Sequence, residues 1–165
     1  MNADFTFTYH PDQRKRFRDG SLADEWRLRY SMLFDAKDRE LLKTEHQAQY
    51  HFFEWLAAVL LYEATGYLSL VEGYTAKTHE EKREKLRKAV SVDIFNWLAE
   101  NESGQPDLFV YRQGTDQWFF CEVKGGPDKA RGNQLKWTAE FRELLKLQKV
   151  RGERVRLIHL KEIRI

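Results

Sequence analysis

Apolar and polar residues follow two periods along this chain, and each change of period marks an element. Over residues 44–64 the spacing is helical. With Glu45 at zero and about 100° turned per residue, Phe52, Leu56 and Val59 fall within about 40° of it, one helical face. Thr44 is a capping residue type and Gly66 a stop. On this phase Glu45 projects from the core-facing stripe and Glu54 falls on the opposite side. Residues 67–71 (Tyr-Leu-Ser-Leu-Val) then alternate as a strand. A polar stretch over 75–88 follows, its Glu80, Glu81, Lys82, Arg83, Glu84 and Lys85 spaced as the ion pairs of a solvated helix. Residues 92–99, with Ile94, Phe95, Trp97 and Leu98, form a second amphipathic helix.

Strands are expected again at 108–112 and 118–123, joined by the polar turn Gln113-Gly114-Thr115-Asp116. A glycine loop, a helix over 133–149 and a last strand over 155–160 complete the pattern. Residues 1–43 are mixed and charged and read as an N-terminal extension. One or two short helices are expected there, around Trp26, Leu28, Tyr30, Leu33 and Phe34. The remainder, 44–165, reads as one domain with a helical insertion at 73–103. Its order of elements predicts an α/β fold, a mixed central sheet flanked by helices.

Bulk properties narrow the function only a little. A chain of 165 residues with 14% aromatic residues can fill one substantial core. A net charge of +2 neither demands nor excludes a nucleic-acid partner, so any electrostatic case rests on local clusters. Cys121 is the single cysteine, which excludes an intramolecular disulfide and suits a reducing compartment. The longest apolar run, 55–62, is far short of a membrane span, and the N-terminus carries no signal-peptide core. A soluble cytoplasmic protein without a membrane partner is expected.

The chemistry concentrates between Gln105 and Gln134. Asp107 opens a strand directly after Pro106, where the missing N–H of proline suits a strand start or edge. Glu122 and Lys124 stand two apart on the next strand and so share a face, while Val123 points into the core. Two carboxylates with the Val123 carbonyl suit a hard cation, Mg²⁺ or Mn²⁺. Such an ion polarises a phosphate and acidifies water, and Lys124 would orient that water or neutralise charge on phosphate oxygens. The triplet alone means nothing: Glu80-Glu81-Lys82 has the same spacing on an expected surface helix. Context supplies the signal, with Pro-Asp, an apolar strand running into Glu-Val-Lys, and glycines beyond it. The histidines His10, His46, His51, His79 and His159 show no zinc spacing and read as surface or core residues.

Pro106-Asp107 with Glu122-Val123-Lys124-Gly125 resembles the PD-(D/E)xK nuclease signature. With Asp128, Lys129, Arg131, Gln134 and Trp137 added, the pattern resembles the VRR-NUC family more narrowly. The match covers residues 104–160 and, more loosely, the helix from Glu45. The resemblance implies a restriction-endonuclease-like core of αβββαβ order and Mg²⁺- or Mn²⁺-dependent cleavage of DNA, often branched, junction or flap structures. Such activity serves DNA repair, recombination, or phage and defence DNA processing. Carried over, Asp107, Glu122 and the Val123 carbonyl would bind metal, Lys124 would serve catalysis, and Gln134 would support the site or contact phosphate. A metal-supporting helix glutamate is implied too: Glu45 fits by position and phase, Glu54 by lying closer to the strand, and Glu45 is taken. The family commonly has Gly-Pro after the lysine, where this chain has Gly125-Gly126-Pro127. The extra glycine puts the contacts of the 128–131 loop in doubt.

Lys129, Arg131 and Lys136 are the candidate DNA-backbone contacts, with Arg14 to Arg18 a further basic run. One such site cuts one strand, so nicking, or double cutting by a homodimer, is expected. Two other readings stay open: a catalytically silent DNA-binding or scaffold protein on the same fold, and a nuclease directed at RNA.

Overall fold

A computed structural model describes residues 3–43, 51–125 and 132–164. Its centre is a five-stranded sheet made of β1 (Phe5–Tyr9), β2 (Leu68–Val71), β3 (Leu108–Tyr111), β4 (Trp118–Gly125) and β5 (Val155–Glu162). The strands lie in the order β1-β5-β4-β3-β2. β5 pairs in parallel with β1 and β4, whereas β3 pairs antiparallel with β4 and β2, so the sheet is mixed. Seven α-helices accompany it among the described residues: α1 (Pro11–Arg18), α2 (Ser21–Arg29), α3 (Ala36–Lys43), α4 (Phe52–Thr65), α5 (Glu80–Ala89), α6 (Val92–Glu100) and α7 (Gly132–Leu147).

Alternation along β3 and β4 divides the core in two. Leu108, Val110, Phe119, Cys121 and Val123 face one side, where α4 and the N-terminal helices pack. Phe109, Trp118 and Phe120 face the other, against Leu86 of α5, Ile94, Phe95 and Leu98 of α6, and Trp137, Phe141 and Leu145 of α7. Two buried apolar faces explain why the strands read as nearly continuous hydrophobic runs. Cys121 is fully buried, and burial pushes its thiol well above the usual range, so it belongs to the packing. No helix among the described residues is long and apolar enough to cross a membrane.

Three expectations need correction. Residues 5–9 form a strand of the central sheet, where only short helices were expected in the N-terminal segment. Phe5-Thr6-Phe7-Thr8-Tyr9 does alternate with period two, but its partner lies some 150 positions away in β5, with Phe5 opposite Ile158. Local patterning cannot show such a pairing. Second, α4 begins at Phe52, with His51 at its N-cap, so the expected helix is interrupted at His51, and its expected start over 44–50 lies outside the described residues. It is buried around most of its circumference, at Phe52, at Trp55 through Val59 and at Leu61. A helix enclosed by a sheet on one side and other helices elsewhere has no single apolar stripe, so the phase argument loses its meaning. Third, α5 is not wholly solvated: Lys82 is only 2% exposed.

Candidate functional site

The sheet register builds the site. Leu108 pairs with Val71 on one side and with Cys121 on the other. One step further along each antiparallel ladder sets Asp107 between Glu72 and Glu122. The Glu72 N–H donates to the Asp107 carbonyl at 2.9 Å, and the Val123 N–H donates to Asp107 Oδ2 at 2.8 Å. The segment leading into Asp107 is held from both ends. Tyr74, 1% exposed, donates its hydroxyl to the Pro106 carbonyl at 2.7 Å. Gly104 has φ +85°, and a Cβ there would lie 2.3 Å from the Asn133 carbonyl oxygen. Only glycine allows that approach, which draws residues 104–107 against the start of α7.

Glu122 and Lys124 extend the face that carries Trp118 and Phe120, towards α7. From that helix Gln134 Nε2 donates to Glu122 Oε2 at 3.1 Å, and Gln134 Oε1 accepts from Lys124 Nζ at 3.5 Å, the long limit of a hydrogen bond. Trp137, three residues on and so on the same helical face, fixes the rotation of α7. Its ring packs on Phe120 with centroids 5.5 Å apart, and its Nε1–H donates to the Asn101 carbonyl at 3.0 Å. Gln134 therefore spans the carboxylate and the ammonium.

Negative charge is in excess here. Burial raises the Asp107 carboxyl above its ordinary value, and the Val123 N–H offsets part of that rise. Burial also raises Glu122, followed by the charge of Asp107 and the side-chain hydrogen bond between the two, so that the pair holds a proton more tightly than ordinary carboxylates do. Glu54, in the first turn of α4, is pushed up to about 7 by burial first and by the Asp107 charge second. Glu54 Oε2 and Glu122 Oε1 are buried without a hydrogen-bond donor among the described residues. Unsatisfied buried carboxylate oxygens beside like charge are costly, and a bound cation relieves both terms. The oxygen-rich donor set suits a hard divalent ion. Beside it His51, Glu54 and Glu72 each offer a ligand atom, all within 4.8 Å of one another. His51 Nδ1 lies 2.9 Å from Glu72 Oε2, and this pairing raises the imidazole above its ordinary value.

Of the residues singled out in the sequence, Asp107, Glu122, Val123, Lys124 and Gln134 come together. Val123 contributes its N–H to Asp107, while its side chain is buried on the opposite face. Lys136 is exposed on α7, 3.9 Å from Glu140. Glu45, Lys129 and Arg131 lie outside the described residues. Glu54, Glu72 and His51 join the site without having been selected. Starting α4 at Phe52 would have put Glu54 in its first turn, beside His51 at the cap. Glu72 had no local signal, since only the β2–β3 register, across more than 30 residues of chain, brings it to Asp107.

No family model matches this chain, and no curated protein matches it. Over 92% of its length it is similar to the crystal structure of paFAN1 bound to 2nt 5'flap DNA with gap, at 20% sequence identity and a TM-score of 0.33. The chain spans 22% of that protein. A likeness this slight settles neither activity nor ligand.

Proposed function

We propose that this protein is a divalent-metal-dependent DNA nuclease of the VRR-NUC kind, with a restriction-endonuclease-like core. The observation that carries the reading is the constellation at the sheet end: Asp107 beside Glu122, with Lys124 and Gln134 on the same face and two buried carboxylate oxygens that lack a donor among the described residues. Asp107, Glu122 and the Val123 carbonyl would hold Mg²⁺ or Mn²⁺. Glu45 lies outside the described residues, whereas Glu54 interacts electrostatically with both Asp107 and Glu122. It takes the supporting role for which Glu45 was the first candidate. The ion supplies polarisation of the phosphodiester and acidification of a water molecule.

The chain's own residues do the rest. The Val123 N–H fixes Asp107, and Gln134 holds Glu122 through its Oε2. Lys124 presents its ammonium on the same face, where it can orient the attacking water or neutralise charge building on phosphate oxygens. Lys129, Arg131 and Lys136 would track the DNA backbone, which positions the substrate without reading its sequence. Branched, junction or flap DNA is the proposed substrate class on the strength of the motif. One site per chain implies nicking, or paired cuts by a homodimer.

The test is a labelled panel of duplex, single-stranded, flap, four-way-junction and RNA substrates, each with Mg²⁺, Mn²⁺ or EDTA. Cutting of DNA that EDTA abolishes is the expected result. Preference for RNA would redirect the substrate class. DNA binding without cutting under either metal would leave a DNA-binding scaffold in place of an enzyme.

A further inference from the structure

The insertion at 73–103 places one cation inside the protein. Lys82 of α5 is 2% exposed, and its ammonium has three oxygen partners from two other segments. It donates to Asp38 Oδ1 of α3 at 2.7 Å, to the Val71 carbonyl at 2.6 Å and to the Glu72 carbonyl at 3.2 Å. It also lies 5.8 Å from the ring centroid of Trp55 in α4. Asp38 is braced in turn, its N–H donating to Asp35 Oδ1 at 2.8 Å. A lysine this deep is rare unless paired, and here all three ammonium hydrogens have acceptors.

What Lys82 holds is the backbone that reaches the carboxylate site. Glu72 sits at φ +41°, a conformation that a non-glycine residue keeps only when its surroundings impose it. Its N–H bonds the Asp107 carbonyl, and its carboxylate pairs with His51 at the cap of α4, three residues before Glu54. The ammonium grips the carbonyls on either side of the Val71–Glu72 junction. It thereby fixes the residue that touches both Asp107 and the start of α4.

We infer that Lys82 is a positioning residue for the metal site, acting through the Val71 and Glu72 carbonyls to set Asp107, Glu72 and His51. The inference rests on the nuclease reading and gives the helical insertion a task within it. The insertion and the N-terminal α3 then form one strut, closed by the Lys82–Asp38 ion pair, that reaches the site from behind the sheet end.

A buried lysine can also be a purely structural tie, so the test separates the two roles. Lys82→Met alone strands the Asp38 carboxylate and is expected to fold poorly. The informative variant therefore replaces both partners, Lys82→Met with Asp38→Leu, since a buried ion pair exchanged for apolar residues commonly keeps stability. Asp38→Asn is the second variant, because it weakens the ion pair and leaves the lysine on its carbonyls. Mn²⁺ affinity by calorimetry and thermal melting are measured on wild type and both variants.

The double variant should melt near wild type and bind Mn²⁺ about tenfold more weakly, the usual scale for a lost supporting contact. Asp38→Asn should lose stability and keep its Mn²⁺ affinity. A folded double variant with wild-type affinity would overturn the inference. So would equal weakening in Asp38→Asn, which would show general loosening. If wild type itself neither binds Mn²⁺ nor cleaves DNA, the nuclease reading fails and takes this inference with it.

Discussion

The chain contains two Glu-x-Lys triplets with the same spacing, Glu80-Glu81-Lys82 and Glu122-Val123-Lys124. On the strand, residues two apart share a face, so Glu122 and Lys124 both reach Gln134. On the helix, two residues subtend about 200°, so Glu80 is exposed while Lys82 is buried. One lysine lies beside two carboxylates that burial raises above their ordinary values. The other is sealed against one carboxylate and two carbonyls. The element beneath a motif therefore decides its chemistry, and spacing alone is silent.

The largest effect that would test this contrast is on catalysis. Lys124→Ala should lower the single-turnover rate of metal-dependent DNA cleavage by about 100- to 1000-fold, the scale of losing one charge-stabilising group, with little change in melting temperature. Lys82→Met should do its first damage to stability. It leaves Asp38 as a buried charge without its cation, and the denaturant midpoint should report a loss of about 3–5 kcal/mol. If Lys82→Met proves as stable as wild type, the two lysines are not the opposites described.

A third expectation concerns pH without metal. Glu54 is raised from an ordinary 4.5 to about 7, and Glu122 and Asp107 are raised as well. The folded state thus binds more protons than the unfolded chain between these values. Stability from these groups is complete below about pH 4.5 and falls as pH rises through about 7. The raised His51 works in the same direction, since its ion pair with Glu72 is lost as the imidazole deprotonates. In EDTA, melting should drop by roughly 5 °C between pH 5 and 8, about 2 kcal/mol, and saturating Mn²⁺ should flatten that slope. A melting temperature that rises with pH in EDTA would contradict the crowded-carboxylate picture.

Smaller effects sharpen the boundary. Gln134→Ala should weaken Mn²⁺ binding or cleavage by about tenfold, because Glu122 loses its orienting donor. Lys136→Ala should shallow the salt dependence of DNA binding by about one unit of log–log slope if Lys136 meets a phosphate. At the bottom of the scale, Glu80→Ala on the exposed side of α5 should change stability by less than about 0.5 kcal/mol.

Much of this was legible in the sequence where the signal is local. The strands at Leu68–Val71, Leu108–Tyr111, Trp118–Gly125 and Val155–Glu162 fall within about two residues of their alternating patterns, the usual uncertainty of element ends. Helix α7 follows its periodicity in the same way. Asp107, Glu122 and Lys124 were singled out by the Pro-Asp strand start and by strand alternation, and Gln134 only through the motif resemblance; the fold brings the four together. What stayed hidden depends on distant pairing. β1 is a strand through its partnership with β5, Glu72 joins Asp107 through the antiparallel β2–β3 register, and Lys82 is buried because α3 brings Asp38 beneath it. Periodicity weighs each of these residues against its chain neighbours, and none of their decisive partners is one. The placement of Glu54 away from the core failed for another reason: phase analysis assumes one wet side, and α4 is enclosed on nearly all of them.

The most direct test of the central claim is the Mn²⁺-supported single-turnover rate on a labelled flap or duplex DNA for wild type and Lys124→Ala side by side. The account predicts cleavage by wild type that EDTA abolishes, and a Lys124→Ala rate about 100-fold or more lower. Equal rates in the two proteins, or no cleavage by wild type with either Mn²⁺ or Mg²⁺, would contradict it.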